Sequence, residues 1–125
     1  MKALGSEMGG EDAGSARKAA AIEAELKILE ISQLRVLDGQ ARSGGADPRS
    51  SVLKLKGVEL RQAASELLLS RAGVSALASS GGDPDEAPDP VETVFPNYAI
   101  LRAASIYGGA SEVQKTIIAK TILGL

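Results

Sequence analysis

Two long helical patterns, separated by a glycine break, constrain this chain more than any other feature. The first covers residues 15–43, with a serine suited to N-capping at its start and a glycine pair at its end. The second covers residues 48–72 and opens with Asp47 as N-cap and Pro48 at the first helical position. No segment shows the apolar alternation of a β-strand. The sequence therefore predicts an all-α fold.

Both predicted helices carry apolar residues on two faces. In the first helix, one stripe at helical spacing consists of Ile22, Leu26, Leu29, Val36 and Leu37. A second set lies well off that stripe and consists of Ile28, Ile31 and Leu34. The second helix repeats the pattern, with one stripe of Leu53, Leu60, Ala64, Leu67 and Leu68 and another of Leu55, Val58 and Leu69. Since a surface helix needs only one stripe about 100° wide, the second sets predict burial against further helices or another subunit.

The composition excludes several classes of function. Histidine and cysteine are absent, which excludes disulfides, thiolate chemistry, Ser-His-Asp triads and zinc sites built on these residues. The formal net charge is -2, there is no run of Lys or Arg, and only three residues are aromatic. The sequence therefore lacks the basic and stacking residues that bind nucleic acid. The sequence has neither an apolar stretch long enough for a bilayer nor a signal-peptide pattern, so we expect a soluble, cytoplasmic protein without membrane partners.

Two segments lack helical pattern. Residues 1–14 are rich in Gly, Glu and Ser and predict a flexible lead-in or linker remnant, which leaves residues 15–125 as the domain. Residues 79–96 hold four of the five prolines and predict a loop that contains Asp83, Asp85, Glu86, Asp89 and Glu92. Calcium binding by these acids is the alternative, but the prolines interrupt the ligand spacing of an EF-hand loop, so a solvated loop is favoured and no metal site is predicted.

The C-terminal part predicts two shorter helices, over residues 97–107 and 112–123, joined by a hinge at Gly108-Gly109. Ser111 and Gln114 have the spacing of a capping box. With the two long helices, these elements predict an antiparallel up-down bundle of four helices. Glycines before a helix N-terminus let a ligand approach the uncapped N–H groups closely. Taken alone, the pattern is weak evidence for a ligand site and favours two helices joined by a glycine turn.

Three segments resemble the C-terminal helical domain of the acyl-CoA dehydrogenases, which use FAD to desaturate acyl-CoA thioesters at the α,β position. The stretch from Ile106 to Gln114 resembles the signature near the end of these enzymes. The stretch 51–60, with Lys54, Glu59 and Gln62, resembles a lysine-containing helix of the family, and the stretch 98–107 resembles the helix that leads into the glycine break. The resemblance covers residues 15–125 and implies one domain of a larger subunit, whose bundles meet at the centre of an oligomer.

The resemblance also implies roles for individual residues. Many members place the catalytic glutamate directly after the tyrosine of the signature, but here that position is Gly108, so no catalytic residue is expected in this chain. Gly109, Ala110 and Glu112 match positions that contact FAD, and Ala110 replaces a common threonine, so a hydroxyl contact is lost. Tyr107 and Gly108 would lie near the thioester.

The long acidic loop departs from the family. Many relatives have a glutamine- and glycine-rich segment there that contacts FAD of a neighbouring subunit, and Ser80-Gly81-Gly82 is its only remnant. We therefore expect either a homo-oligomer, dimer or tetramer, or a hetero-oligomer with a related subunit, acting on acyl-CoA in the full enzyme. The isolated chain is expected to be inactive and to bind FAD weakly. The alternative is an autonomous all-helical assembly module without catalytic activity.

Overall fold

Helices account for the secondary structure of the described residues, as the sequence predicted. The computed structural model describes residues 4–77 and 90–125, with side chains from Ala13 onward. No strand occurs in these two ranges. The main elements in chain order are α1 (Leu4–Ser43), α2 (Ser50–Ala72), α3 (Pro90–Arg102) and α4 (Ser111–Ile118). The all-α prediction is confirmed.

The first helix begins earlier than the sequence pattern indicated. Its first residue is Leu4, so Ser15 lies within the helix and does not cap it. Several glycines between residues 5 and 14 lower the helix propensity by about 1 kcal/mol each relative to alanine, which explains the later predicted start. A helix that already exists gains one hydrogen bond for each residue added. The division into a lead-in of residues 1–14 and a domain of residues 15–125 stays a prediction.

Glycine ends both long helices. Gly44 has φ +69° and donates its N–H to the Gln40 carbonyl. Gly73 has φ +61° and donates to the Leu69 carbonyl. Only glycine adopts this left-handed conformation at low cost. The predicted C-termini of α1 and α2 are thus correct.

At the start of α2, the predicted N-cap at Asp47 and first helical position at Pro48 are wrong, because the helix begins at Ser50 and its N-cap is Arg49, which has no side-chain cap. Asp47 instead stabilises the turn before the helix. The Asp47 carboxylate accepts a hydrogen bond from the Arg49 N–H at 2.9 Å. The Arg49 guanidinium donates further hydrogen bonds to the same carboxylate. These contacts hold the pKa of Asp47 below its ordinary value. Pro48 lies in the turn just before the helix.

The predicted loop over residues 79–96 is wrong at its C-terminal end. α3 begins at Pro90, and Pro96 lies inside it. Proline suits the first helical position because its missing N–H would have no partner there. The prediction treated Pro90 as a residue that interrupts a helix, and it therefore extended the loop too far. Residues 78–89, with most of the acids considered for calcium binding, lie outside the described residues.

The helix α2 contacts α1, α3 and α4, whereas α1 packs extensively only on α2 within the described ranges. Val36 shares a groove with Leu53, while Ile22, which lies earlier in α1 and near its middle, shares a groove with Leu67. These two helices are therefore antiparallel. Lys56 of α2 lies 2.8 Å from Glu25 of α1, and this partner raises the pKa of Lys56. The up-down topology of the whole four-helix bundle stays a prediction.

The hydrophobic core is small. Its buried apolar residues among those described are Val36, Leu60, Ala76 and Ala104. The second apolar set of α1 is exposed, with Ile28 at 62%, Ile31 at 53% and Leu34 at 62%. These three follow each other at three-residue spacing and form a ridge of the kind that packs into the groove of another helix. We call them the α1 ridge.

Leu60 should contribute more to stability than Leu68 on the same helix. Leu60 is 6% exposed and Leu68 is 59% exposed. We expect Leu60→Ala to lower the free energy of unfolding by about 2–4 kcal/mol, because it removes buried contacts and leaves a cavity. Leu68→Ala, the matched control, should cost less than about 1 kcal/mol. Urea unfolding followed by circular dichroism measures both, and equal losses would contradict this core.

Candidate functional site

The connection between α3 and α4 is the candidate site, and its backbone is unusual. After α3 comes a 3₁₀ turn, Ala103–Ser105. The following five residues, 106–110, form what we call the hinge. Within it, Gly108 has φ +67° and Gly109 has φ +99°. Two successive positive φ angles turn the chain within a few residues, which a residue with a Cβ atom would resist.

The two hinge glycines have different surroundings. A Cβ atom on Gly108 would meet nothing within 4 Å. A Cβ atom on Gly109 would lie 2.5 Å from the Gln114 side-chain nitrogen. Gly109 therefore lets the Gln114 amide fold back against the backbone, whereas Gly108 faces open space.

The N-terminus of α4 has no side-chain cap. Its N-cap residue is Ala110, whose carbonyl accepts the first helical hydrogen bond, from the Gln114 N–H at 3.0 Å. The predicted capping box is wrong. The Ser111 hydroxyl instead donates to the Ser105 carbonyl at 3.3 Å, so it ties the start of α4 to the preceding 3₁₀ turn. The first N–H groups of α4 stay without a side-chain partner, and the helix dipole adds partial positive charge there.

A lysine from α2 holds the hinge. The Lys54 ammonium donates a hydrogen bond to the Gly109 carbonyl. Sequence analysis placed Lys54 in a helix that resembles the family but predicted no role for it. Helical spacing could not have revealed the contact, because the two residues are 55 positions apart.

A second set of contacts between α2 and α3 fixes the approach to the hinge. The Gln62 amide donates to the Leu101 carbonyl at 3.0 Å, near the end of α3. Arg102 donates to Glu66 at 2.7 Å and to the buried Ser65 hydroxyl at 3.0 Å. The Arg102 guanidinium also lies 4.4 Å from the centre of the Tyr98 ring, a cation–π distance. These contacts set the position at which α3 ends.

The structure brings the predicted site residues together at one exposed surface. Gly108, Gly109 and Glu112 are exposed, Tyr107 is 49% exposed, and Ala110 is partly buried. Their assignments to FAD and thioester stay predictions. No group of acidic residues suited to hold a metal occurs within residues 13–77 and 90–125, whose side chains the structure describes. No helix there is long and apolar enough to cross a membrane.

The chemistry available at the hinge is hydrogen-bond donation. Glycine at position 108 has no side chain to abstract a proton, and Glu112 lies in the first turn of α4. Backbone N–H groups at a helix start, accessible beside two glycines, suit electron-rich or negatively charged groups. The hinge can therefore bind and orient a ligand.

Comparison with known proteins gives one match. A family model described as acyl-CoA dehydrogenase, C-terminal domain, matches residues 3–123. No curated protein and no solved structure matches significantly. The family match includes the hinge and the whole of α1 and α2.

Alanine should be tolerated less well at Gly109 than at Gly108. We expect Gly108→Ala to cost about 1 kcal/mol, the strain of a left-handed residue. Gly109→Ala should cost about 2 kcal/mol or more, because the Gln114 amide must also move. Gly14→Ala is the matched control: with open space in a helix and no positive φ, it should stabilise by up to about 1 kcal/mol.

Thermal unfolding measures these differences. Adding Gln114→Ala to Gly109→Ala should recover part of the loss. Equal costs at the two hinge glycines would show that Gln114 does not pack against Gly109.

Proposed function

Because the chain belongs to the acyl-CoA dehydrogenase family as its C-terminal domain, we propose that its hinge forms part of the FAD and thioester site of such an enzyme. The observation that carries the proposal is the exposed glycine pair directly before the uncapped start of α4. A cofactor can approach such a backbone more closely than one that carries side chains.

The residues of the hinge fit contact with a flavin. Gly109 and Ala110 offer accessible backbone, and Glu112 in the first turn of α4 offers a polar side chain. Bound FAD would supply the acceptor for hydride from the acyl β-carbon. The chain's own part is to hold one edge of the cofactor and, through Tyr107 and Gly108, to lie beside the thioester.

The proton-abstracting base must come from outside the hinge. A positioned general base contributes roughly two to four orders of magnitude in rate, and Gly108 provides none. Tight binding of a molecule as large as FAD also needs most of its surface enclosed. We therefore propose that the isolated chain is inactive and that flavin-binding parts of a cytoplasmic enzyme, in the same or another polypeptide, complete the site.

A titration of the ¹⁵N-labelled chain with FAD tests this function. We expect shifts of the amide signals of Gly109 to Val113, with a Kd of about 1 mM, because only one edge of the cofactor is contacted. Adenosine diphosphate, as a matched ligand without the flavin ring, should shift them less. No turnover is expected with acyl-CoA and an artificial electron acceptor. Unshifted hinge amides at saturating FAD would contradict the proposal.

The exposed α1 ridge favours the second candidate function, assembly. We propose that the chain associates through this ridge, as a homo-oligomer or with a related subunit. The residues Ile28, Ile31 and Leu34 are each more than half exposed, and covering them would remove apolar surface from water. Assembly and the cofactor site use different surfaces, so both can belong to one protein.

Replacing Ile31 by Glu should weaken self-association more than folding. The new carboxylate would have to be desolvated in the interface, whereas in the monomer it lies in water. Ala41→Glu, the matched control, adds the same charge at an exposed site of α1 beyond the ridge. Sedimentation equilibrium with circular dichroism separates association from folding. A wild-type chain that stays monomeric at high concentration, or equal effects of the two variants, would contradict this role of the ridge.

A further inference from the structure

We propose that Lys54 is a positioning residue, which holds the Gly109 carbonyl toward α2 and thereby fixes the orientation of the Gly109-Ala110 peptide. The contact joins the middle helix of the fold to the hinge. Among the described residues, no other side chain of α2 makes a hydrogen bond to residues 106–110. Lys54 is therefore the side chain by which α2 holds this peptide.

Peptide geometry determines what this contact does. In a planar trans peptide the carbonyl and the N–H point in opposite directions. Because Lys54 holds the Gly109 carbonyl toward α2, the Ala110 N–H points away from α2. No backbone hydrogen bond within the described ranges uses the Ala110 N–H as donor. Lys54 therefore presents this N–H on the outer side of the hinge, next to the free N–H groups of α4.

Glycine alone would not keep this orientation. Turning the Gly109-Ala110 peptide over changes ψ of Gly109 and φ of Ala110. Glycine accepts a wide range of backbone angles, whereas Ala110, which has φ −56°, resists a positive φ by about 1–2 kcal/mol. A hydrogen bond from a charged donor is stronger than one between neutral groups. Lys54 thus adds to the resistance of Ala110 by holding the carbonyl on the glycine side of the peptide.

The neighbouring lysine provides a natural comparison. Lys56 lies two residues further along α2 and pairs with Glu25 of α1, 2.8 Å away. Residues two apart do not face the same way on a helix. One lysine therefore serves the hinge and the other serves the α1–α2 contact, although both stand on the same helix.

The effect of Lys54 on a ligand rests on the proposed function, whereas its effect on the peptide does not. If the hinge contacts FAD, a turned peptide replaces the Ala110 N–H donor by a carbonyl oxygen. Flavin carbonyls and ring nitrogens that accept hydrogen bonds would then be repelled. Loss of this one hydrogen bond from the Ala110 N–H should weaken FAD binding at the hinge by about tenfold.

Residual dipolar couplings of the Gly109-Ala110 peptide test the proposal directly. In the wild-type chain we expect a single set of couplings, with the carbonyl directed toward α2. Lys54→Met keeps the length of the side chain and removes the donor, so the Gly109 and Ala110 signals should split or broaden. Lys54→Arg should restore the wild-type couplings. Lys56→Met, the matched control, should leave the hinge signals unchanged while it weakens the α1–α2 contact.

The results of these measurements distinguish the positioning role of Lys54 from the proposed binding of FAD at the hinge. Wild-type couplings that place the carbonyl away from α2 would overturn it without any variant, even if Lys54→Met failed to fold. Unchanged hinge couplings in a folded Lys54→Met protein would also overturn it. Couplings that change in Lys54→Met and return in Lys54→Arg would support the positioning role of Lys54. If FAD shifted no hinge amide in the same protein, only the proposed function would be contradicted.

Discussion

The packing of α2 against three other helices is the constraint on which the candidate site depends. Three helices, α1, α3 and α4, all contact α2. Gln62 and Ser65 set where α3 ends, and Lys54 fixes the hinge a few residues later. The hinge glycines have little conformational preference of their own. Their arrangement is therefore imposed by a helix that is distant in sequence.

Local chemistry made part of the fold predictable. Gly44 and Gly73 end their helices in the left-handed conformation, which is a property of glycine and needs no partner. The apolar residues on two faces of α1 predicted burial of the second set against further helices or another subunit, and no helix among the described residues buries the ridge. Helix ends and exposed faces follow from spacing and residue type, so the sequence is informative about them.

Sequence-based predictions failed where one residue type fits two local structures, and where a residue distant in sequence determines the hydrogen bond. Pro90 can begin a helix or interrupt one, and a pattern of several prolines favoured the wrong choice. Ser111 has the spacing of a capping residue, but its hydroxyl bonds to Ser105, which becomes possible only when the hinge turns. Helical periodicity does not encode the Lys54 contact to Gly109. The hinge location was therefore predictable, and the contacts that shape it were not.

Gly108 is constrained by its backbone and not by its neighbours. A glutamate there would have room, since nothing lies within 4 Å of a Cβ atom. The backbone at φ +67° would nevertheless penalise an L-residue that replaced the glycine by about 1 kcal/mol. A side chain at this position would therefore alter the shape of the turn before it met any other residue.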